Sequence, residues 1–158
     1  MTDAYVGMVG VWLAFAASII GALVIVAGLV RQRAGAAATV GPNSARLTQL
    51  IVGSRQFAPV MLLGAVVATG AMEHALVTHD FTLVFVAQNN SVATPLLYSI
   101  TGLWSALAGS ILLWGLALTA FTVVFCWRYR HLAADPVIRW ATLVLYLVND
   151  FLFGMMVL

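Results

Sequence analysis

The chain has 158 residues, 63% of them hydrophobic and 8% charged, with a formal net charge of +2. That composition lies outside the range of soluble domains and inside that of membrane spans. Nucleic-acid binding is excluded as well, because all seven basic residues are arginines at the ends of apolar runs and form no patch.

In chain order, the first apolar run is Val6 to Val30. No basic residue precedes it, and at about 25 residues it is longer than the core of a signal peptide. Arg31 and Arg33 follow it, so it reads as a retained membrane helix. Gly10, Ala14, Ser18 and Ala22 recur along it every fourth residue, a row that lets another helix come close in lipid, from this chain or from a partner. Gln32 to Ser44, with Gly41-Pro42-Asn43, reads as a flexible connector. Phe57 to Val77 is the second run, with Glu73 and His74 near its end. Next comes a connector of unusual chemistry, His79 to Tyr98, which is aromatic and carries little charge besides Asp80. Its middle is the polar turn Asn89-Asn90-Ser91.

The third run, Pro95 to Trp127, reads as one helix. Thr94-Pro95 would supply its cap oxygen and a first residue whose missing N–H costs nothing. Such a helix would be ~50 Å long and would stand beyond a ~30 Å hydrocarbon core. Gly102, Ala106 and Ser110 would form its small-residue row. The fourth run, Pro136 to Leu158, begins after a second capping pair, Asp135-Pro136. Each run exceeds the ~20 residues a span needs. The expected fold is therefore an all-α integral membrane protein, one domain of about four transmembrane helices at 6–30, 57–77, 95–127 and 136–158. Arg31, Arg33, Arg46 and Arg55 border the first connector, and Arg128, Arg130 and Arg139 the last, whereas 78–94 has none. The positive-inside rule then puts the middle loop and the N-terminus outside.

Few side chains could carry chemistry. His74 and His79 lie about 140° apart on a continuous helix, so joint ligation requires the helix to end between them. The plainer reading is two interfacial histidines. Asp150, some fourteen residues into the fourth run, needs a partner, a proton or water there. Arg139 is too distant on the same helix, so the expectation is a partner outside this chain or a carboxylate reaching for the outer leaflet. His131 reads as a loop residue, Cys126 as a small apolar filler, and Trp104 and Trp114 as belt or packing residues. There is no nucleophile triad, phosphate loop, metal-spaced Cys/His cluster or C-x-x-C-H motif. The residues alone leave open an ion or proton transporter or channel subunit using Asp150 and Glu73, a membrane anchor of a respiratory complex, or an assembly subunit.

"HDFTLVFVAQNNSVATPLLYSITGLWSALAGSILLW", His79 to Trp114, resembles the N-terminal part of the cytochrome c maturation protein F family, the haem lyase subunit. That family carries D-F-x-x-x-Y/F-V-A-x-x-S/N-x-x-x-x-P-x-x-Y followed by W-G/S-x-x-E-G-S-x-L-L-W. The matching residues are Asp80, Phe81, Phe85, Val86, Ala87, Asn90, Pro95, Tyr98, Trp104, Ser105, Gly109, Ser110, Leu112, Leu113 and Trp114. Ala108 stands where members often have an acid.

The resemblance implies a membrane subunit or fragment that helps deliver haem to apocytochrome c and attach it there. Its implied partners are a haem chaperone, apocytochrome c, the remaining lyase subunits or segments, and membrane lipid. Its implied location is the bacterial inner membrane. The outer loop, through Asp80, Phe81, Phe85, Asn90 and Pro95, would face those partners, with Tyr98, Trp104 and His74 in the vicinity of the haem. The family's Trp-rich segment and ligating histidines have no counterpart here. The chain therefore looks like the N-terminal part of a larger lyase, not catalytic alone, with haem ligands lying elsewhere.

Overall fold

The computed structural model describes residues 2–35, 53–133 and 135–157. Its helices are α1 (Thr2–Gly35), α2 (Phe57–Val77), α3 (Val84–Asn89), α4 (Leu96–Ser105), α5 (Leu107–Arg128) and α6 (Pro136–Val157), with a 3₁₀ turn at Arg130–Leu132. Among the described residues there is no strand, and four helices (α1, α2, α5 and α6) are long and apolar enough to cross a membrane. The expected all-α membrane architecture is what is found. The first helix outruns its expected limits at both ends. Most of the connector expected at Gln32–Ser44 falls on residues 36–52, outside the described residues.

The four long helices form a ring in which α1 packs on α2 and α6, and α5 packs on α2 and α6. Lipid tails are as apolar as leucine, so contact between these helices is favoured by close packing and not by hydrophobic expulsion. The α1/α2 seam shows how close it is. A Cβ added at Gly64 would lie 2.6 Å from the carbonyl oxygen of Gly10 and 2.7 Å from the amide nitrogen of Ala14. Ala14, Ser18 and Ala22 are all buried. The small-residue row of α1 therefore serves packing within the chain. Further along the same face of α1, the Tyr146 ring of α6 lies against Gly21, and its hydroxyl donates to the Ser54 carbonyl at 2.8 Å. Cys126 is buried in the same core cluster, as a filler should be.

Two polar ties cross the bundle from adjacent residues of α6. Ser18 Oγ is hydrogen-bonded to Asp150 Oδ1, which links α1 to α6. Asn149 Nδ2 donates to Thr122 Oγ1 at 3.2 Å, which links α5 to α6. The expectation of a partner outside the chain for Asp150 is thus corrected. Ser18 was legible only as a small packing residue, and the pairing spans 132 positions.

The third run is the larger correction. It is two helices, not one of 33 residues, because Ala106 takes an extended conformation (φ −118°, ψ 154°). No proline causes the break. The Leu103 carbonyl turns in against Gly109, where any Cβ would collide with it. Ser105 Oγ donates to the Gly102 carbonyl at 2.9 Å, and Ser110 Oγ lies 2.9 Å from the Trp104 carbonyl and 3.0 Å from that of Ala106. Ser105 and Ser110 thus supply hydroxyl donors to the Gly102 and Trp104 carbonyls at the break, while the Ala106 carbonyl also accepts from Ser110 N–H at 3.0 Å. Gly102, Ala106 and Ser110 consequently do not form one face of one helix. Pro95 is also not the first helical residue: it caps α4 through its carbonyl, to which Tyr98 N–H donates at 2.9 Å, while Thr94 Oγ1 turns to Ser91. Asp135 does cap α6, its Oδ1 accepting from Val137 N–H at 2.7 Å.

Candidate functional site at the loop end

The bundle has two distinct ends. At one, Arg55 Nη2 donates to the Tyr129 carbonyl at 3.0 Å, which joins the start of α2 to the end of α5. At the other, His74 Nδ1 lies 2.9 Å from Asp3 Oδ2, which joins the end of α2 to the start of α1. The loop from Thr78 to Pro95 sits at this second end, and most of the candidate residues belong to it or its flanks.

The loop begins with a tight helix stop. His79 has φ 55°, the left-handed conformation usually taken by glycine and tolerated by histidine better than by most residues. Asp80 N–H donates to the Ala75 carbonyl at 2.9 Å, and His79 N–H reaches that of Leu76 at 3.4 Å, the paired bonds of a Schellman ending. The helix does end between His74 and His79, as joint ligation would require. The two imidazoles nevertheless have different neighbours: His74 is held by Asp3, and His79 packs near the Phe81 ring, its Nε2 buried without a partner. Among the described residues no group of three or more His, Cys, Asp or Glu is placed to hold a metal. This donor set does not fit axial ligation of a haem.

Asp80 folds back on the chain. Its Oδ1 accepts from Thr82 Oγ1 at 2.6 Å and Thr82 N–H at 3.1 Å, and these bonds, the hydroxyl first, hold its carboxyl below the usual aspartate range. Helix α3 follows, with Val86 fully buried and Phe85 reaching across to Gly109. Asn90 then ties three segments together. Its Nδ2 donates to the Leu76 carbonyl at 2.7 Å, and its Oδ1 accepts from Ser91 N–H at 2.9 Å and Ser99 Oγ at 3.3 Å. The stretch that looked like an open polar turn is thus stapled to α2 and α4. Leu103 of α4 joins Ala75, Leu76 and Val86 in the cluster beneath.

Phe81, Pro95, Tyr98 and Trp104 are exposed, and Asn90 and Phe85 are partly buried. Beside them is a feature that the sequence did not reveal, an apolar cavity of about 470 Å³. Asp3, Met8, Met72, Leu83, Ala108 and Met156 are among the residues lining it. These come from four different helices and the loop, so no local spacing could have announced the cavity. Ala108, the position where the resembled family often has an acid, is part of its wall.

No family model matches the chain. Individual proteins do. CcmF of Escherichia coli (strain K12), a cytochrome c-type biogenesis protein, is 30% identical over 91 residues, 58% of this chain and 14% of CcmF. This chain is similar to the CcmF proteins. Probable cytochrome c-type biogenesis protein NrfE of the same organism is 31% identical over 93 residues, 59% of this chain and 16% of NrfE. A solved structure of the cytochrome c heme lyase CcmF superposes with a TM-score of 0.75 and 32% identity, covering 99% of this chain and 24% of that one. The resemblance read from His79 to Trp114 is therefore shown, and the likeness in fold extends over nearly the whole chain. The chain spans about a quarter of the solved CcmF and less of the curated relatives it matches.

Proposed function

We propose that this chain is a membrane component of a cytochrome c haem lyase and helps bring haem to apocytochrome c for attachment. The observation that carries the reading is the superposition on a CcmF lyase over 99% of the chain at 32% identity. At that identity the likeness extends beyond a shared fold, and the relatives' names agree in function. Haem is here a substrate of the assembled lyase, with its ligands supplied by other segments or subunits. The alternative of an ion path through Asp150 has less support, since that carboxyl is engaged by Ser18.

The proposed location is the bacterial inner membrane, with the loop end and the N-terminus on the outer side and the arginine-bearing end inside. The loop then forms part of the surface on which a haem chaperone, apocytochrome c and the remaining lyase segments meet. Asp80, Phe81, Phe85, Asn90 and Pro95 build it, and Tyr98, Trp104 and His74 are the candidates nearest the haem. Uncharged amide and aromatic groups suit contact with a porphyrin and an extended peptide. The chain supplies shape and position to the reaction, and no catalytic group is assigned to it. The test is haem staining of c-type cytochromes in cells lacking the chain, with and without its restoration. The proposal expects apocytochrome to accumulate without covalent haem, and the stain to return with the chain. Unchanged staining in its absence would refute it.

A further inference from the structure

We propose that α4 is an interfacial helix whose Leu97–Ile100–Trp104 face rests on lipid at the headgroup boundary of the loop end. This goes beyond the lyase reading and stands without it. The argument begins with lengths. Helix α5 has 22 residues, so it spans ~33 Å and crosses a ~30 Å hydrocarbon core unaided. Arg128 ends it at one boundary, which puts the break at Ala106 near the other. What precedes the break, α4, therefore lies at or just outside the core. Its packing agrees, because Leu103 joins Ala75 and Leu76 in the final turn of the neighbouring span α2.

A ten-residue helix outside the core should turn polar residues outward. In α4 the order is reversed. Its buried residues are Ser99, Gly102 and Leu103, two of them small. At 100° per residue, Leu97, Ile100 and Trp104 fall on the opposite face, and they are 69%, 41% and 49% exposed. No residue of α4 is charged. Amphipathic helices in membrane interfaces turn an apolar face to lipid and a polar one to water. Here the small-residue face is already used on the bundle, so the bulky apolar face is the one left to lipid.

Two features favour lipid over a protein partner as the occupant. The chain runs from this helix straight into a candidate span, α5, whose first residue Leu107 is exposed, as is Trp114 two turns further on. It also carries Trp104 and is flanked by Tyr98, the residue types enriched where hydrocarbon meets headgroups. A haem reaching Trp104 would then approach along the membrane surface and not from bulk water.

The test uses the full chain, with Cys126 replaced by alanine, in phosphatidylcholine vesicles. A spin label is placed at Leu97, and for comparison at Val92 in the preceding loop. The Leu97 label should collide readily with oxygen and be shielded from a water-soluble nickel chelate, and the Val92 label should show the reverse. A Leu97 label open to the chelate would mean a water-facing helix, and one shielded from both reagents a protein-covered helix. Either result overturns the proposal. Trp104→Phe provides a check free of labels: it should remove a measurable part of the tryptophan emission quenched by lipids brominated near the headgroup. An unchanged quenched fraction would also overturn it. Neither result bears on haem attachment, so this proposal and the lyase reading fail separately.

Discussion

The α1/α2 seam and the loop end are held together by different means. At the seam the backbones themselves touch, Gly10 against Gly64, with little side chain between them. At the loop end, side-chain amides and hydroxyls tie separate short segments together: Asn90 to Leu76 and Ser99, Ser110 to the broken turn, Thr82 to Asp80. A seam made of backbone contact has almost no freedom to adjust. A region held by a few hydrogen bonds can be altered one tie at a time, and it exposes more aromatic surface. The difference suits a scaffold at one place and a contact surface at the other.

The hardest break should come at the seam. Gly64→Leu puts a side chain where a single Cβ already meets backbone at 2.6 Å, so α1 and α2 must separate. A loss of about 3 kcal/mol is expected from such overpacking. Unfolding in detergent measures it, and a loss under ~0.5 kcal/mol would be too small for a rigid seam under the same principle.

Asn90→Ala should come next, at about 2 kcal/mol, because it removes together the bonds of this side chain to the Leu76 carbonyl, Ser91 N–H and Ser99 Oγ. Its effect should be local. Hydrogen exchange should quicken across the loop and the end of α2 and stay unchanged in the middle of α1. Equal quickening in both would erase the distinction between the two regions.

Ser110→Ala should cost about 1 kcal/mol, the net worth of one hydrogen bond. Ala106→Leu, which a continuous third helix would have made a severe overpacking, should cost less, because Ala106 is extended and only partly buried. Reversal of that order in the same unfolding assay would restore the unbroken helix.

The smallest effect is the acid response of the Asp80 turn. Its folded carboxyl is depressed by the bonds from Thr82, so its contribution is fully present above the ordinary aspartate range. It is lost as the pH falls through the lower, folded value. Proteolysis of the loop should therefore quicken only in strongly acid solution. Asp80→Asn should flatten that dependence, and a loop that loosens near neutral pH in the unaltered chain would contradict the assignment.

These two regions also differed in how far the sequence disclosed them. The span Phe57–Val77 and the cap at Asp135 follow from hydropathy and one local residue pair, and the Gly10–Ala22 row points to a seam through its four-residue spacing. The break at Ala106 could not be found that way, because hydropathy runs on through it and no proline marks it. The signal present was chemical: Ser105, Gly109 and Ser110 cluster where carbonyls have to be taken up and one backbone admitted close to another. Asn90 was legible as part of a turn but not as a staple, since its partner at Leu76 lies fourteen positions earlier. The Ser18–Asp150 tie and the methionine-lined cavity join residues from separate helices, which no local pattern specifies.

The claim that the loop end does the work while the seam holds the frame is tested most directly by one measurement: holocytochrome c, by haem stain, per amount of chain present in the membrane. The variant is Phe81→Ala combined with Tyr98→Ala, both exposed at the loop end and neither part of the seam. The account predicts a clear fall in holocytochrome c, with chain level and unfolding behaviour unchanged. Full holocytochrome c yield from that variant would contradict it.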